Sequence, residues 1–215
     1  MPLNPHDAQF LTAAVRPSSY PPPGPPEVAF AGRSNVGKSS LINTLLRRKK
    51  LVRVSSRPGC TQQINFFSLG GDQARLVDLP GYGFAKVPLS VKAGWRRMIE
   101  SYLTGRPTLK GVVVILDIRR EPSAEDLMLL EWLKSLDLAV VLALTKADKL
   151  SRNQAAGRLA KLRPVLSPFD QRPVLFSALN GQGREEIWAR MGELVDGPET
   201  PAAEPATVDP PVADA

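Results

Sequence analysis

Short apolar runs alternate with helical periodicity along most of the chain. The segments EVAFAG (27–32), ARLVDLP (74–80), GVVVILDI (111–118), LAVVLALT (138–145) and RPVLFSA (172–178) read as buried strands. Between or after them, apolar residues recur at helical spacing in GKSSLINTLLRR (37–48), VKAGWRRMIESYLT (91–104), SAEDLMLLEWLKSL (123–136), SRNQAAGRLAKLRPVL (151–166) and GREEIWARMGELV (183–195). QINFFSLGG (63–71) running into DQARLVDLP predicts a hairpin. Strands that alternate with helices predict an α/β domain. Its sheet should be mostly parallel and six-stranded, with one antiparallel edge strand and helices on both faces. Ahead of this body, HDAQFLTAAV (6–15) predicts a short helix, and RPSSYPPPGPPE (16–27) should lie extended over the surface, because its prolines suit neither a helix nor a central strand. No internal repeat is visible.

Composition narrows the chemistry. The chain has 215 residues, 43% of them hydrophobic, enough for a sizeable core. No run approaches the roughly 20 apolar residues of a membrane span, and the start lacks the pattern of a signal peptide. Cys60 is the only cysteine and His6 the only histidine. An internal disulfide, a cysteine or histidine metal cluster and a histidine triad are excluded, and a cytoplasmic monomer is expected. Charge is unevenly spread. Asp196, Glu199, Glu204, Asp209 and Asp214 face no Lys or Arg in the final segment, which leaves residues 1–195 with 28 basic against 16 acidic groups, a formal +12. That balance fits a nucleic-acid partner, or simply a basic solvated surface. The Pro-, Ala- and acid-rich stretch 196–215 is expected to be disordered.

GRSNVGKSS (32–40) carries the strongest chemical signal. Gly32, four residues, then Gly37, Lys38 and Ser39 match a phosphate-binding loop, placed between a strand and a helix as that loop requires. Backbone N–H groups from Gly32, Arg33, Ser34, Asn35, Val36 and Gly37 through Ser40 would cradle phosphate oxygens at a helix N-terminus. Lys38 would reach the terminal phosphates, and the Ser39 hydroxyl would ligate magnesium. Asp78, ending a strand ahead of Leu79, Pro80 and Gly81, would hold the same magnesium, usually through water, while the Gly81 N–H meets the γ-phosphate. Between them, RPGCTQQ (57–63) offers Gly59, Cys60 and Thr61, with Thr61 the candidate to close over magnesium.

LTKAD (144–148) would read the base. The Asp148 carboxylate can accept from the ring N–H and the exocyclic amine of guanine, an arrangement adenine cannot satisfy. Lys146 can lay its stem over the ring, with Ala147 between them. Thr145 stands where Asn is usual. Phe176, Ser177 and Ala178 in FSALNGQG would present backbone to the guanine oxygen.

AFAGRSNVGKSSLIN, RPGCTQQINFF, LVDLPGYGFAKV and LTKADKL together closely resemble the EngB (YihA/YsxC) family of bacterial GTP-binding proteins, over about residues 20–195. The resemblance implies a Ras-like P-loop GTPase fold over 27–195, between an amino-terminal extension (1–26) and the acidic tail (196–215). It implies GTP or GDP with Mg2+ as ligands, a role in assembling the large ribosomal subunit or its precursor through ribosomal RNA, and an association with cell division. The family commonly carries a basic residue where Cys60 stands.

Tyr82 occupies the place of the water-orienting glutamine of Ras-type switches. It could pack into the domain, stack on RNA or cover the nucleotide. Hydrolysis would then be slow and rest on another group. Asn35 stands where related GTPases hold potassium, and such an ion would neutralise charge on the phosphates. Equally, Asn35 could serve only the loop turn, with the missing group supplied by a partner such as the ribosome. The catalytic candidates are thus Lys38, Thr61, Gly81 and Asn35. Candidate RNA contacts are the RRKK run at 47–50 with Arg53 and Arg57, then Arg96, Arg97, Arg106, Lys110, Arg119 and Arg120. Trp95, Trp132 and Trp188 fall in helical patterns and should pack. A nucleotide-gated RNA-binding module with incidental hydrolysis is the alternative reading, and a phosphoryl transferase using the same loop is a third.

Overall fold

The computed structural model describes residues 7–48, 63–82 and 89–197. They form strands β1 (Gln9–Ala14), β2 (Glu27–Gly32), β3 (Ile64–Leu69), β4 (Ala74–Asp78), β5 (Leu109–Asp117), β6 (Ala139–Thr145) and β7 (Val174–Leu175). The helices are α1 (Lys38–Leu45), α2 (Leu89–Gly105), α3 (Ala124–Ser135), α4 (Arg152–Leu166) and α5 (Arg184–Val195). One seven-stranded sheet runs in the order β1-β3-β4-β2-β5-β6-β7.

The apolar runs become strands because both faces of the sheet are covered. Along β5, Val112 and Val114 pack with Tyr102 of α2, Leu130 of α3 and Leu162 of α4. The alternate residues Val113 and Ile115 pack with Ile42 and Leu45 of α1 and Ile187 and Met191 of α5. A strand buried on both sides has no polar face to show, so it reads as a continuous apolar run. The helices α3 and α4 begin with reciprocal caps, Ser123 with Asp126 and Ser151 with Gln154, each satisfying an otherwise orphaned N–H.

Two expectations need correction. The stretch 6–15 is not a helix: residues 9–14 form β1, which pairs antiparallel with β3 from Gln9 opposite Ser68 to Ala14 opposite Ile64. Local preference for helix yields to the open hydrogen-bonding edge of β3 and to the edge-on contact of Phe10 with Phe67, ring centroids 5.6 Å apart. The sheet therefore has seven strands rather than six. Its antiparallel member, β3, lies one in from the edge, because β1 covers it.

At the amino end of β2 the wholly buried Glu27 accepts from Arg106 Nε at 3.0 and 2.9 Å and from the Tyr102 hydroxyl at 2.9 Å. Arg75 lies 3.6 Å from the same carboxylate and donates to the Pro22 carbonyl at 2.7 Å, fastening the proline-rich segment to the sheet. A charge this deep persists only when paired and hydrogen-bonded. Arg106 is thus a buried structural cation and not an RNA contact.

Candidate functional site

The carboxyl ends of β2, β4, β5, β6 and β7 bring the sequence motifs to one mouth, where open parallel sheets bind ligands. After β2 the chain turns through Asn35 at φ 63° and Gly37 at φ 110° before α1 begins. Glycine meets the second conformation without strain, and asparagine tolerates the first. At Gly32 a Cβ would lie 2.9 Å from a Val36 methyl and 3.0 Å from the Ile115 carbonyl oxygen, so the loop packs against β5 only with glycine there.

Lys38, at the first residue of α1, points into the mouth and pairs with Asp78 Oδ1. Asn65 Nδ2 donates to the other carboxylate oxygen at 3.3 Å. Lys38 is 8% exposed and Asp78 is 1% exposed, so each charge relies on the other. A phosphate on Lys38 and a cation on Asp78 would give both groups new partners of the sign they now have. The oxygen donors Ser39 and Asp78 suit magnesium, which takes few protein ligands and fills its shell from phosphate and water. No cluster of three or more metal-ligating side chains occurs among the described residues. This donor set fits a metal that arrives with a nucleotide. Gly59, Cys60 and Thr61 lie outside the described residues, as do Lys49, Lys50, Arg53 and Arg57.

On the base side, Ser177 Oγ donates to Asp148 Oδ1 at 2.8 Å, and the Ala147 N–H donates to the Phe176 carbonyl at 3.1 Å. The Ser177 hydroxyl bond, with Lys149 nearby, holds the Asp148 carboxyl below its ordinary range. Its second oxygen lies 3.3 Å from Lys149 Nζ, and Ala178 is exposed. Thr145 Oγ1 lies 2.7 Å from the Val36 carbonyl and 3.0 Å from that of Leu116. A hydroxyl has one proton, so it serves one of these carbonyls at a time, whereas the amide of asparagine could serve both. Lys146 adopts φ 64° and donates from Nζ to the Asn35 carbonyl at 2.9 Å, tying the base-side loop to the phosphate loop.

Two residues the sequence motifs passed over join the site. Asp117, at the end of β5, pairs with Lys146 Nζ at 3.1 Å and with Arg119 at 2.8 Å. Burial works to raise its carboxyl, but the bonds from Arg119 and Lys146 prevail and hold it well below the usual range. Its signal was present, since an acid ends an apolar strand there as in LVD of β4. Asp126 accepts from the Tyr82 hydroxyl at 2.8 Å while also closing the α3 cap. Burial first, then the Asp126 charge, push the Tyr82 phenol far upward, so it remains a donor. Of the three possibilities for Tyr82, the described contact is packing within the domain.

The basic residues separate into two groups. Arg119 and Arg120 follow the carboxyl end of β5, beside the mouth, whereas Lys110 sits near its amino end, about 23 Å from Asp117 at the rise of a strand. Arg119 is bound to Asp117 and Arg96 to Glu100, while Arg97 is exposed. Trp188 Nε1 donates to the Leu45 carbonyl at 2.9 Å, and Trp132 is partly buried against the core.

Residues 27–146 match the family model of a 50S ribosome-binding GTPase. A protein of Geobacter metallireducens described as a probable GTP-binding protein EngB is 53% identical over 92% of this chain and 96% of its own length. A counterpart from Trichlorobacter lovleyi with the same description is 51% identical over 89% of this chain and 96% of its own. A crystal structure of a probable GTP-binding protein EngB superposes with a TM-score of 0.63 at 27% identity, covering 79% of this chain and 98% of that one. Era of Aquifex aeolicus shares the fold at a TM-score of 0.64 and 21% identity, over 80% of this chain and 57% of Era. The glycine-rich loop, the acid opposite its lysine and the guanine-type aspartate share one mouth, and the chain belongs to the EngB family of P-loop GTP-binding proteins.

Proposed function

We propose that the chain is a slow GTPase switch acting in assembly of the large ribosomal subunit, in the cytoplasm and as a monomer. The family's association with cell division belongs to the same reading. Residues 27–195 constitute the GTPase unit, residues 1–26 an extension whose strand joins its sheet, and residues 196–215 an acidic tail. The observation that carries the reading is the shared mouth, with Lys38 and Asp78 at one side and Asp148 held by Ser177 at the other.

The chemistry follows from these residues. Backbone N–H groups of the 32–40 loop that are not bonded within the protein orient the phosphates, and Lys38 neutralises charge that builds toward the leaving oxygen. The Gly81 N–H senses the terminal phosphate. Ser39, Asp78 and Thr61 would hold magnesium, which would supply charge neutralisation across the phosphates. Asp148 selects guanine, Lys146 covers the ring, and Phe176, Ser177 and Ala178 line its oxygen side. Asn35 would help hold a potassium ion, which would supply further neutralisation of phosphate charge. The exposed cations Arg97 and Arg120, with the 47–50 run, supply the sequence-independent grip on RNA phosphates.

Capture of large-subunit precursor particles tests the reading. The chain is loaded with a non-hydrolysable GTP analogue or with GDP, and Lys38→Ala serves as the nucleotide-binding control. Capture that differs between nucleotide states, together with turnover accelerated by the particles, is the expected result. Equal capture in both states and in Lys38→Ala, with turnover indifferent to particles, would remove the switch.

A further inference from the structure

Four buried side-chain polar atoms among the described residues lack a hydrogen-bond partner: Tyr20 Oη, Ser34 Oγ, Thr108 Oγ1 and Arg184 Nε. Only Ser34 belongs to the phosphate loop. A buried hydroxyl without a partner is uncommon and calls for a reason. Its surroundings supply one. A Cβ built on Gly81 would lie 3.0 Å from Ser34 Oγ, so the hydroxyl is shut in by the glycine whose N–H is assigned to the terminal phosphate. The backbone meets at the same point: the Ser34 N–H donates to the Tyr82 carbonyl at 3.1 Å, and Arg33 bridges Tyr82 in parallel.

The side chain at the glutamine position is meanwhile committed elsewhere, since the Tyr82 hydroxyl is bound to Asp126 on α3. Ser34 Oγ therefore combines three properties. It adjoins Gly81, it is neutral, and its hydrogen-bonding capacity is unused. A serine hydroxyl offers one donor and two acceptor lone pairs, enough to bridge a water and a phosphate oxygen.

We propose that Ser34 is the side chain that positions the attacking water of GTP hydrolysis. The proposal rests on the GTPase reading above and names a catalytic residue within it. As Gly81 moves its N–H toward the terminal phosphate, the Ser34 hydroxyl is uncovered. It accepts a hydrogen bond from the water and donates its own to a γ-oxygen. The water oxygen forms a bond to the γ-phosphorus, and the bond from that phosphorus to the β–γ bridging oxygen breaks. Its electron pair leaves with GDP. The proton lost by the water ends on the inorganic phosphate, and Ser34 keeps its proton throughout.

Ser34→Ala tests this, because it removes the hydroxyl without adding bulk toward Gly81. Single-turnover hydrolysis of bound GTP should slow by about a hundredfold, the order seen when one preorganised donor is lost from a reacting centre. Affinities for GTP and GDP should stay within about threefold of the wild-type chain. Ser34→Thr, which retains a hydroxyl, should recover most of the rate. Hydrolysis by Ser34→Ala at the wild-type rate overturns the proposal, as does a loss confined to nucleotide affinity. A wild-type chain that never hydrolyses GTP overturns the parent reading with it, so the two failures are distinguishable.

Discussion

The Tyr82 hydroxyl donates to Asp126 Oδ1 at 2.8 Å, joining the segment after Gly81 to the first turn of α3. Asp126 is 5% exposed and uses its other oxygen for the Ser123 cap, so one carboxylate serves two elements. Tyr82→Phe deletes the upper bond and leaves the cap intact. The variant should lose about 1.5–3 kcal/mol of stability, the usual worth of a hydrogen bond to a charged acceptor. Its GTP turnover should stay within about twofold of the wild-type rate. Chemical denaturation and single-turnover hydrolysis measure the two quantities, and a large fall in turnover would return Tyr82 to the chemistry.

Guanine selection depends on what Asp148 can accept. Asp148→Asn replaces one acceptor oxygen with an N–H2 donor, which opposes the amine of guanine and matches the 2-carbonyl of xanthine. Affinity for GDP should fall about a hundredfold or more, with xanthosine diphosphate gaining in its place. Competition with a fluorescent nucleotide reads the change.

The same residue carries a pH signature. Its carboxyl is held below the ordinary value of 3.8, first by the Ser177 hydroxyl. A depressed folded value means the Asp148 contribution is complete above 3.8 and is lost as pH falls through the lower folded value. Ser177→Ala should move the titration back up toward 3.8. Carbon NMR of the carboxyl gives the result, and an unmoved midpoint would show that the serine bond is not the cause.

Thr145→Val keeps the shape of a fully enclosed side chain and removes its hydroxyl, which lies 2.7 Å from the Val36 carbonyl. The phosphate loop loses one of its two ties to the base-reading segment, the Lys146 bond to Asn35 remaining. We expect a loss of about 1–2 kcal/mol in stability and a severalfold weaker affinity for GDP. Thermal unfolding with and without nucleotide separates the two effects. Equal shifts in both conditions would mean that the tie supports the fold alone.

Asn35→Gly distinguishes the two roles open to that position. Glycine keeps the left-handed turn at φ 63° while removing the side-chain amide. Hydrolysis should run faster in potassium than in sodium for the wild-type chain, and the advantage should vanish in the variant. Indifference to the ion in both would leave Asn35 as a turn residue only.

The nucleotide loops were legible because their chemistry is local. GRSNVGKSS lies between its own strand and helix, and Asp78 ends an apolar run that could only be a buried strand. Asp117 and Asp126 were harder, because their partners Lys146 and Tyr82 lie 29 and 44 residues away in the chain. Each also had a bland local reading, one as a strand end and the other as a helix cap. Arg106 was misread for the opposite reason. As a cation in a basic chain it suggests RNA, and only the wholly buried Glu27 beside it reveals a structural role. β1 failed on periodicity, since its strand character comes from the edge of β3 and not from its own residues.

That edge has a consequence for the order of assembly during synthesis. Gln9 leaves the ribosome ahead of Ser68, its partner 59 residues further on. At ordinary rates of elongation its partner emerges about 3–12 s later. β1 therefore waits for β3, and until the two pair, β3 presents an open template to any other chain nearby. An amino-terminal fusion would act at this step, slowing closure of the sheet and raising the chance of strand exchange between copies, while leaving the nucleotide mouth at the far end of the strands untouched.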